Sequence, residues 1–405
     1  MSLALDSDPR QGLQQPGAQR PTLFLDVSPL IEDQWTGIPV FTSRLARALL
    51  GSNGCELRFA YEGTVVPDEL VRRALDWQTG SELRSVLDDL SPEVRVPIPF
   101  HSTLLYPSVK PRCGLAAREA SVIHDLSTIF MPEFHDEANV RYHLAHFGRE
   151  LATNDITFFV SEASRDLFLN SFCLPGMRHD VLLQYVDWPE AFPHIAANDL
   201  PLALPRYFVL VGTLEPRKNI GVILRAMADP RMRRLHCYVI GRRGWKVDEF
   251  LAEADRDGTV RTRVTFTGFI SEYTKYRLIA GAEFLAFPSV YEGFGIPALE
   301  ALSLGVPVVA AASSSLVEVV GEGGTFFDPF SVEGFINAVR ELAHRRKQPD
   351  FAAKVAKAAG QFGPEVMVKP VLRWLTAMRA DPRNRTEILR LAATLSLRLI
   401  SAPES

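Results

Sequence analysis

The sequence predicts an α/β protein built from two facing Rossmann-like domains with parallel sheets and a cleft between them, and three observations carry this. Short apolar runs alternate with helix-patterned segments, the pattern of right-handed βαβ units on a parallel sheet. The alternation comes in two separate series. Between them, residues 188–205 lose the periodicity and carry Pro189, Pro193, Pro201 and Pro205, the punctuation of a linker.

In the first series, residues 21–27 (PTLFLDV) read as a buried strand and 39–50 as a helix with apolar residues at helical spacing. Strand-like runs follow at 57–61, 120–123 and 156–160, with helical patterns at 137–153 and 162–170. The second series predicts strands at 207–211, 236–240, 264–266, 284–287 and 306–311. Helices at 219–227, 247–254, 273–280 and 297–304 separate them. The chain thus divides into a disordered tail (1–20), a first domain (21–188), a linker (189–205), a second domain (206–365) and C-terminal helices (366–405). Ligands of such sheets bind beyond the carboxyl ends of the strands, so the cleft is the expected site.

Composition narrows the function classes. A length of 405 residues suits two domains rather than one. The net charge of −4 gives no overall basic field, which argues against nucleic acid as a partner. Cys55, Cys113, Cys173 and Cys237 are far apart and form no C-x-x-C pair, so a zinc site or a disulfide framework is not expected and a reducing cytoplasm is. The first 20 residues have no apolar core, and no apolar run approaches the ~20 residues that span a bilayer.

The densest chemistry lies at 291–309, YEGFGIPALEALSLGVPVV. Glu292 and Glu300 stand eight apart, with Gly293, Gly295 and Pro297 between them. Proline suits the first turn of a helix, and the glycines let backbone approach a ligand closely. A helix N-terminus with free N–H groups is a ready anion site. A sugar-nucleotide needs this combination: N–H groups for the diphosphate, and carboxylates to accept from sugar and ribose hydroxyls. The plainer reading makes Glu300 a helix-start residue and Glu292 a solvated loop residue. A dinucleotide fingerprint also fits formally, as Gly293-x-Gly295-x-x-Ala298. That fold wants an acid at the end of the next strand, where Ala311, Ala312 and Ser313 stand.

"PSVYEGFGIPALEALSLGVPVV" (288–309) resembles the E-x7-E segment of glycosyltransferase family 4, retaining enzymes of the GT-B fold. "LVGTLEPRKNI" (210–220) resembles the phosphate-binding segment of that family, and "FTGFIS" (266–271) and "SSSLVEVVGEGGTFFDP" (313–329) match as well. "FLDVSPLIEDQWTGIPVF", "VIHDLS" and "FVSEASRD" in the first domain match more loosely.

The resemblance implies a role for each matching residue. Glu292 would hold hydroxyls of the donor sugar and Glu300 the ribose. Backbone at Phe294, Gly295 and Ile296 would face sugar and diphosphate, and Arg217 and Lys218 would bind the diphosphate. Gly37 would admit the β-phosphate from the opposite domain, and His124 would reach the transferred sugar. Thr213 departs from the family, many of whose members carry arginine there; charge stabilisation then falls more heavily on Arg217 and Lys218.

The implied enzyme is a retaining, metal-independent hexosyltransferase of polysaccharide or lipopolysaccharide biosynthesis. It would move a sugar from GDP-mannose or a UDP-sugar to a hydroxyl of a glycan or lipid-linked acceptor. The nucleotide-sugar is a substrate, so no cofactor and no metal are expected. Cytoplasmic location, with peripheral association at the inner membrane face, follows by family analogy. The alternative from another class is a catalytically silent sugar-nucleotide-binding subunit of a polysaccharide assembly complex. A glycoside hydrolase is the weaker enzyme reading, because its paired carboxylates must flank one bond.

Other features have plainer readings beside functional ones. His124 next to Asp125 fits a hydrogen-bonded structural pair. Asp6-x-Asp8 and Asp255-x-Asp257 fit solvated acids rather than the metal site of another transferase fold. Arg242, Arg243, Trp245 and Lys246 form a basic-aromatic loop that fits either surface charge or a flank of the nucleotide base. Residues 385–400 carry Ile388, Leu391, Leu395 and Leu399 on one helical face, a pattern for docking on the body ahead of a membrane surface.

Overall fold

The computed structural model describes residues 20–377 except 34, 36, 78, 90–94, 173, 175, 200–203, 249–251 and 253–257. The tail at 1–20 apart from its last residue, both D-x-D patterns, most of the helix expected at 247–254 and the helix expected at 385–400 lie outside the described residues.

The first domain runs β1 (Thr22–Asp26), α1 (Ile38–Ser52), β2 (Glu56–Tyr61), β3 (Thr64–Val66), α2 (Asp68–Trp77), α3 (Ser81–Asp89) and β4 (Thr103–Tyr106). It continues through β5 (Arg118–Ile123), α4 (Ser127–Phe130), α5 (Glu137–Thr153), β6 (Ile156–Phe159), α6 (Glu162–Ser171) and β7 (His179–Val181). The sheet order is β3-β2-β1-β4-β5-β6-β7, parallel throughout except that β3 runs antiparallel to β2. Within the stretch read as an interdomain linker, α7 (Ala191–Asn198) forms an eight-residue helix. Its proline falls at the third helical position, within the first turn, where the missing N–H has no intrahelical partner to lose.

The second domain begins with β8 (Tyr207–Val211), α8 (Ile220–Ala228), β9 (His236–Ile240), α9 (Gly258–Arg263), β10 (Val264–Gly268), α10 (Glu272–Ala280) and β11 (Leu285–Phe287). It then runs α11 (Ile296–Ser303), β12 (Val308–Ala311), α12 (Leu316–Val320), β13 (Gly324–Phe327), α13 (Val332–Arg345), α14 (Phe351–Ala359) and α15 (Pro364–Thr376). Its sheet, β10-β9-β8-β11-β12-β13, is wholly parallel. β8 and β12 are buried at every position, as strands covered by helices on both faces should be.

Both sheets have a topological switch point. In the first, the chain leaves β1 for β2 on one side and returns to β4 on the other; in the second, it leaves β8 for β9 and returns to β11. Crevices at such points are where open α/β sheets bind ligands. The last described helix, α15, crosses back to the first domain. Arg118 donates to the carbonyls of Trp374 (2.5 Å) and Leu375 (3.3 Å), and Trp374 Nε1 donates to Asp155 Oδ2 at 2.7 Å. Among the described residues, no helix is long and apolar enough to cross a membrane.

Candidate functional site

The second domain's switch point gathers two loops. One follows β8 through Gly212, Thr213 and Glu215 into a 3-10 turn, Pro216–Lys218. The other follows β11 and enters α11 through Gly293 and Gly295. Gly212 and Gly241 cross so closely that a Cβ on Gly241 would stand 2.0 Å from the Gly212 carbonyl oxygen. Asn219, at φ 50°, ends the turn in the left-handed region and donates to the carbonyls of Pro288 (3.2 Å) and Pro329 (2.6 Å).

This packing brings three of the expected residues together. Glu292, 7% exposed, accepts from Arg217 Nη1 at 3.0 Å and from Lys218 Nζ at 2.6 Å. Burial opposes its charge, but the ammonium of Lys218 and the guanidinium of Arg217 outweigh this and hold its pKa at about 2. Arg217 also donates to Glu215 Oε1 (2.7 Å) and the Tyr291 carbonyl (2.7 Å). Burial opposes its charge as well; the carboxylates of Glu292, Asp125 and Glu215 raise its pKa above the ordinary arginine value. Arg217 Nε is buried without a hydrogen-bond partner among the described residues. The two cations stand before α8 rather than in its first turn. They end the preceding 3-10 turn and point at Glu292, which removes the conflict with a helix dipole.

Glu300 lies on α11, 4% exposed, and accepts from Lys275 Nζ of α10 at 2.8 Å. Lys275 in turn sits 5.3 Å above the Trp188 ring. Gly295, at φ 105°, caps α11, whose first-turn N–H groups lack intrahelical partners. Phe294 turns its ring inward against Phe362, and its carbonyl accepts from Ser315 Oγ at 2.8 Å. Ile296 is partly buried against the core and opens the helix. Thr213 is exposed at the loop edge.

The first domain meets this surface with its own switch point. Gly37, exposed and at φ 49°, caps α1 beyond β1, with open space where a Cβ would lie. His124, just past β5, is within 2.7 Å of the Pro107 carbonyl through Nε2 and sits edge-on to Phe41 at 4.6 Å. Burial lowers its pKa, so the ring is neutral and Nε2–H donates to Pro107. The partner is thus Pro107 rather than the adjacent Asp125. A pocket of about 260 Å³ opens here, lined by His124, Asp125, His135 and Glu150 from the first domain and by Glu215, Arg217 and Trp245 from the second.

Direct ties hold the two domains at this cleft. The Gly293 carbonyl accepts from Ser161 Oγ (2.6 Å) and Ser164 Oγ (3.2 Å). Glu318 of α12 accepts from the backbone N–H groups of Glu162 and Ala163 (3.2 Å each), capping α6 across the domain boundary. Trp245 Nε1 and Lys246 Nζ donate to the carbonyls of Phe134 and Glu133. The basic-aromatic loop read from sequence is therefore an interdomain contact. Gly293 is the closest approach: a Cβ there would lie 1.7 Å from the His124 carbonyl oxygen.

Residues 200–361 match the family model for glycosyl transferases group 1. That segment holds Thr213, Arg217, Lys218, Glu292 and Glu300. O-antigen chain mannosyltransferase B of Escherichia coli is 33% identical over 253 residues, which is 60% of this chain and 65% of that protein. Serotype-specific mannosyltransferase WbdA of Escherichia coli is 31% identical over 146 residues, 35% of this chain and 18% of that protein. The chain thus spans less than two thirds of the length of these relatives. WaaG, a glycosyltransferase involved in lipopolysaccharide biosynthesis, superposes with a TM-score of 0.58 at 16% identity, over 88% of this chain and all of WaaG. The fold is GT-B: two α/β domains with a cleft at the carboxyl ends of their strands.

Sequence reasoning missed Glu215, Lys275, Ser161, Glu318 and His135. Glu215, Ser161 and Glu318 stand in quoted motifs, but nothing there shows that Glu318 caps a helix of the other domain. The rest act through tertiary neighbours, which no spacing in the sequence reports.

Proposed function

We propose that the protein is a retaining glycosyltransferase that moves a sugar from a nucleoside diphosphate donor to a hydroxyl of a glycan or lipid-linked acceptor in polysaccharide or lipopolysaccharide biosynthesis. The observation that carries this is the buried Glu292 carboxylate clamped between Arg217 and Lys218, at the β8/β11 switch point and facing the other domain's switch point. Several of the matching relatives are mannosyltransferases, though glycogen synthase of Mycobacterium tuberculosis also matches; this favours GDP-mannose ahead of a UDP-sugar.

The diphosphate lies against the α11 N-terminus, with Arg217 and Lys218 as its cations and Gly37 opposite. The buried, unpartnered Nε of Arg217 is a donor available to a ligand oxygen. Cations fixed beforehand in a water-poor cleft stabilise the negative charge that grows on the departing diphosphate. They take the place a metal would fill, so the reaction is metal-independent. Glu292 does two jobs: it fixes both cations, and its acceptor lone pairs bind donor-sugar hydroxyls. Glu300 accepts from the ribose, oriented by Lys275. His124, neutral and with Nε2–H committed to Pro107, presents Nδ1 as an acceptor to the transferred sugar. The departing diphosphate takes the acceptor's proton on the same face, so the anomeric configuration is retained.

The test is incubation with GDP-mannose and a panel of UDP-sugars, followed by chromatography of released nucleoside diphosphate and NMR of the product anomer. An α-linked product from an α-linked donor is expected. Binding of the nucleotide without turnover on any donor or acceptor points instead to a binding subunit.

A further inference from the structure

The cleft pocket contains an imidazole whose proton positions are fixed by its surroundings. Ser127 Oγ donates to Asp125 Oδ1 at 2.8 Å, and the same oxygen accepts the Ser127 N–H at 3.0 Å. The Ser127 hydroxyl proton is therefore committed to Asp125. His135 Nε2 lies 2.8 Å from Ser127 Oγ and can only donate to it. With the one ring proton on Nε2, Nδ1 presents a bare lone pair. His135 is 8% exposed, and Nδ1 is buried with no hydrogen-bond partner among the described residues. A buried acceptor left unsatisfied is destabilising and rare in native structures, which points to a partner from outside the chain.

The surroundings define that partner. His135, Asp125, Thr128 and Asn139 share the pocket with Trp245 and Arg217 of the second domain. The Trp245 ring centre is 6.2 Å from that of His135, tilted by 38°. A lone pair beside a carboxylate calls for hydrogen-bond donors and repels an anion. Asp125, Glu150 and Glu215 add further acceptors to the wall, while Arg217 is already paired with Glu215 and Glu292. A polyhydroxyl ring supplies donors for this row of acceptors, and the aromatic face of Trp245 suits its C–H surface. The volume of about 260 Å³ lies just under the roughly 300–1,000 Å³ of pockets for drug-sized ligands, the size for one ring.

We propose that His135, held by the Asp125–Ser127–His135 chain, is a specificity-determining residue that accepts a hydroxyl of the acceptor's terminal sugar through Nδ1, with Trp245 against the ring's apolar face. This rests on the transferase reading above, but the two fail separately in the test.

Methyl glycosides of mannose, glucose, galactose and N-acetylglucosamine serve as probes, with affinity read by saturation-transfer NMR with and without GDP or UDP. GDP and UDP affinities are measured by calorimetry on the same samples. Wild-type protein should bind at least one glycoside. His135→Gln keeps a side-chain amide near the Nε2 position, toward Ser127, but has no acceptor at the Nδ1 position; it should bind that glycoside roughly tenfold more weakly, the loss of one hydrogen bond. His135→Asn keeps an acceptor near Nδ1 and should stay within about threefold of wild type. Nucleotide affinity should be unchanged in both. On unmodified protein, at least one singly deoxygenated glycoside should lose the same tenfold, which reads the contact without any substitution. Absence of glycoside binding by the wild type, equal losses in both variants, or full affinity for every deoxy probe overturns the proposal. If glycosides bind as expected while neither GDP nor UDP does, the transferase reading fails and the His135 site stands.

Discussion

Lys218 Nζ lies 2.6 Å from Glu292 Oε1, and with Arg217 on the other carboxylate oxygen the three residues form one buried charge cluster. Two cations directly before a helix N-terminus conflict with its dipole, so by that rule alone removing one would leave stability intact. The structure reverses that expectation. Breaking a buried pair leaves an uncompensated charge, at a cost of about 3–5 kcal/mol when no other partner remains. Lys218→Met keeps Arg217 on Glu292, so its loss should be smaller, roughly 1–3 kcal/mol. Urea denaturation should show this, while turnover of the folded variant falls about 10²–10³-fold.

Glu300 and Lys275 should separate nucleotide affinity from chemistry. Glu300→Ala should weaken GDP or UDP roughly tenfold, the scale of one hydrogen bond to a charged group. Lys275→Met should weaken it less, because it frees Glu300 rather than removing it. Calorimetry with the bare nucleoside diphosphate gives both numbers. An unchanged affinity in Glu300→Ala would remove the ribose assignment.

Gly293→Ala tests the closed cleft. The new methyl would meet the His124 carbonyl oxygen at 1.7 Å, a backbone atom with no rotamer to escape into. The loop must then part from the first domain and lose its bonds from Ser161 and Ser164. Each domain should stay folded. Small-angle scattering should show a larger radius of gyration and the transfer reaction should vanish; a compact, active variant would show that closure at Gly293 is not needed.

The contribution of Glu150 and Asp26 to stability should fall as pH rises from about 4 to about 7, against an opposite contribution from the buried His124, whose pKa is lowered. Burial pushes Glu150 up to about 7 and Asp26 up to about 6, so the folded protein holds these protons more tightly than the unfolded chain. Between the unfolded and folded values the native state binds more protons, and raising pH therefore costs stability. Glu150→Gln and Asp26→Asn should flatten the profile, most visibly at pH 8. Denaturation series at pH 5, 6.5 and 8 would check this, and an unchanged slope in both variants would contradict it.

Much of the fold could be read from the sequence, because buried parallel strands are apolar runs and their helices have strong periodicity. β1, β2, β5, β6 and β8 to β12 stand where apolar runs predicted them, and Glu137–Thr153 was read to the residue. β4 was missed because Thr103–Tyr106 is only four residues long and lies between Pro99 and Pro107. β7 is shorter still and carries His179 and Asp180, so no apolar run marks it. In the site, Glu292, Arg217 and Lys218 stood out by motif, but their mutual pairing did not. The ties from Ser161, Glu318 and Trp245 depend on how the two domains face each other. No local pattern encodes that.

The central claim is that the Arg217–Lys218–Glu292 cluster acts on a nucleoside diphosphate donor. The most direct measurement is release of nucleoside diphosphate from GDP-mannose in excess chelator, comparing wild type with Glu292→Gln at matched folded fraction. Wild type should release GDP and transfer mannose to a glycan acceptor, while Glu292→Gln should keep GDP affinity within severalfold and lose most of its turnover. Equal turnover in the two proteins, or an absolute need for a divalent metal, would contradict the account.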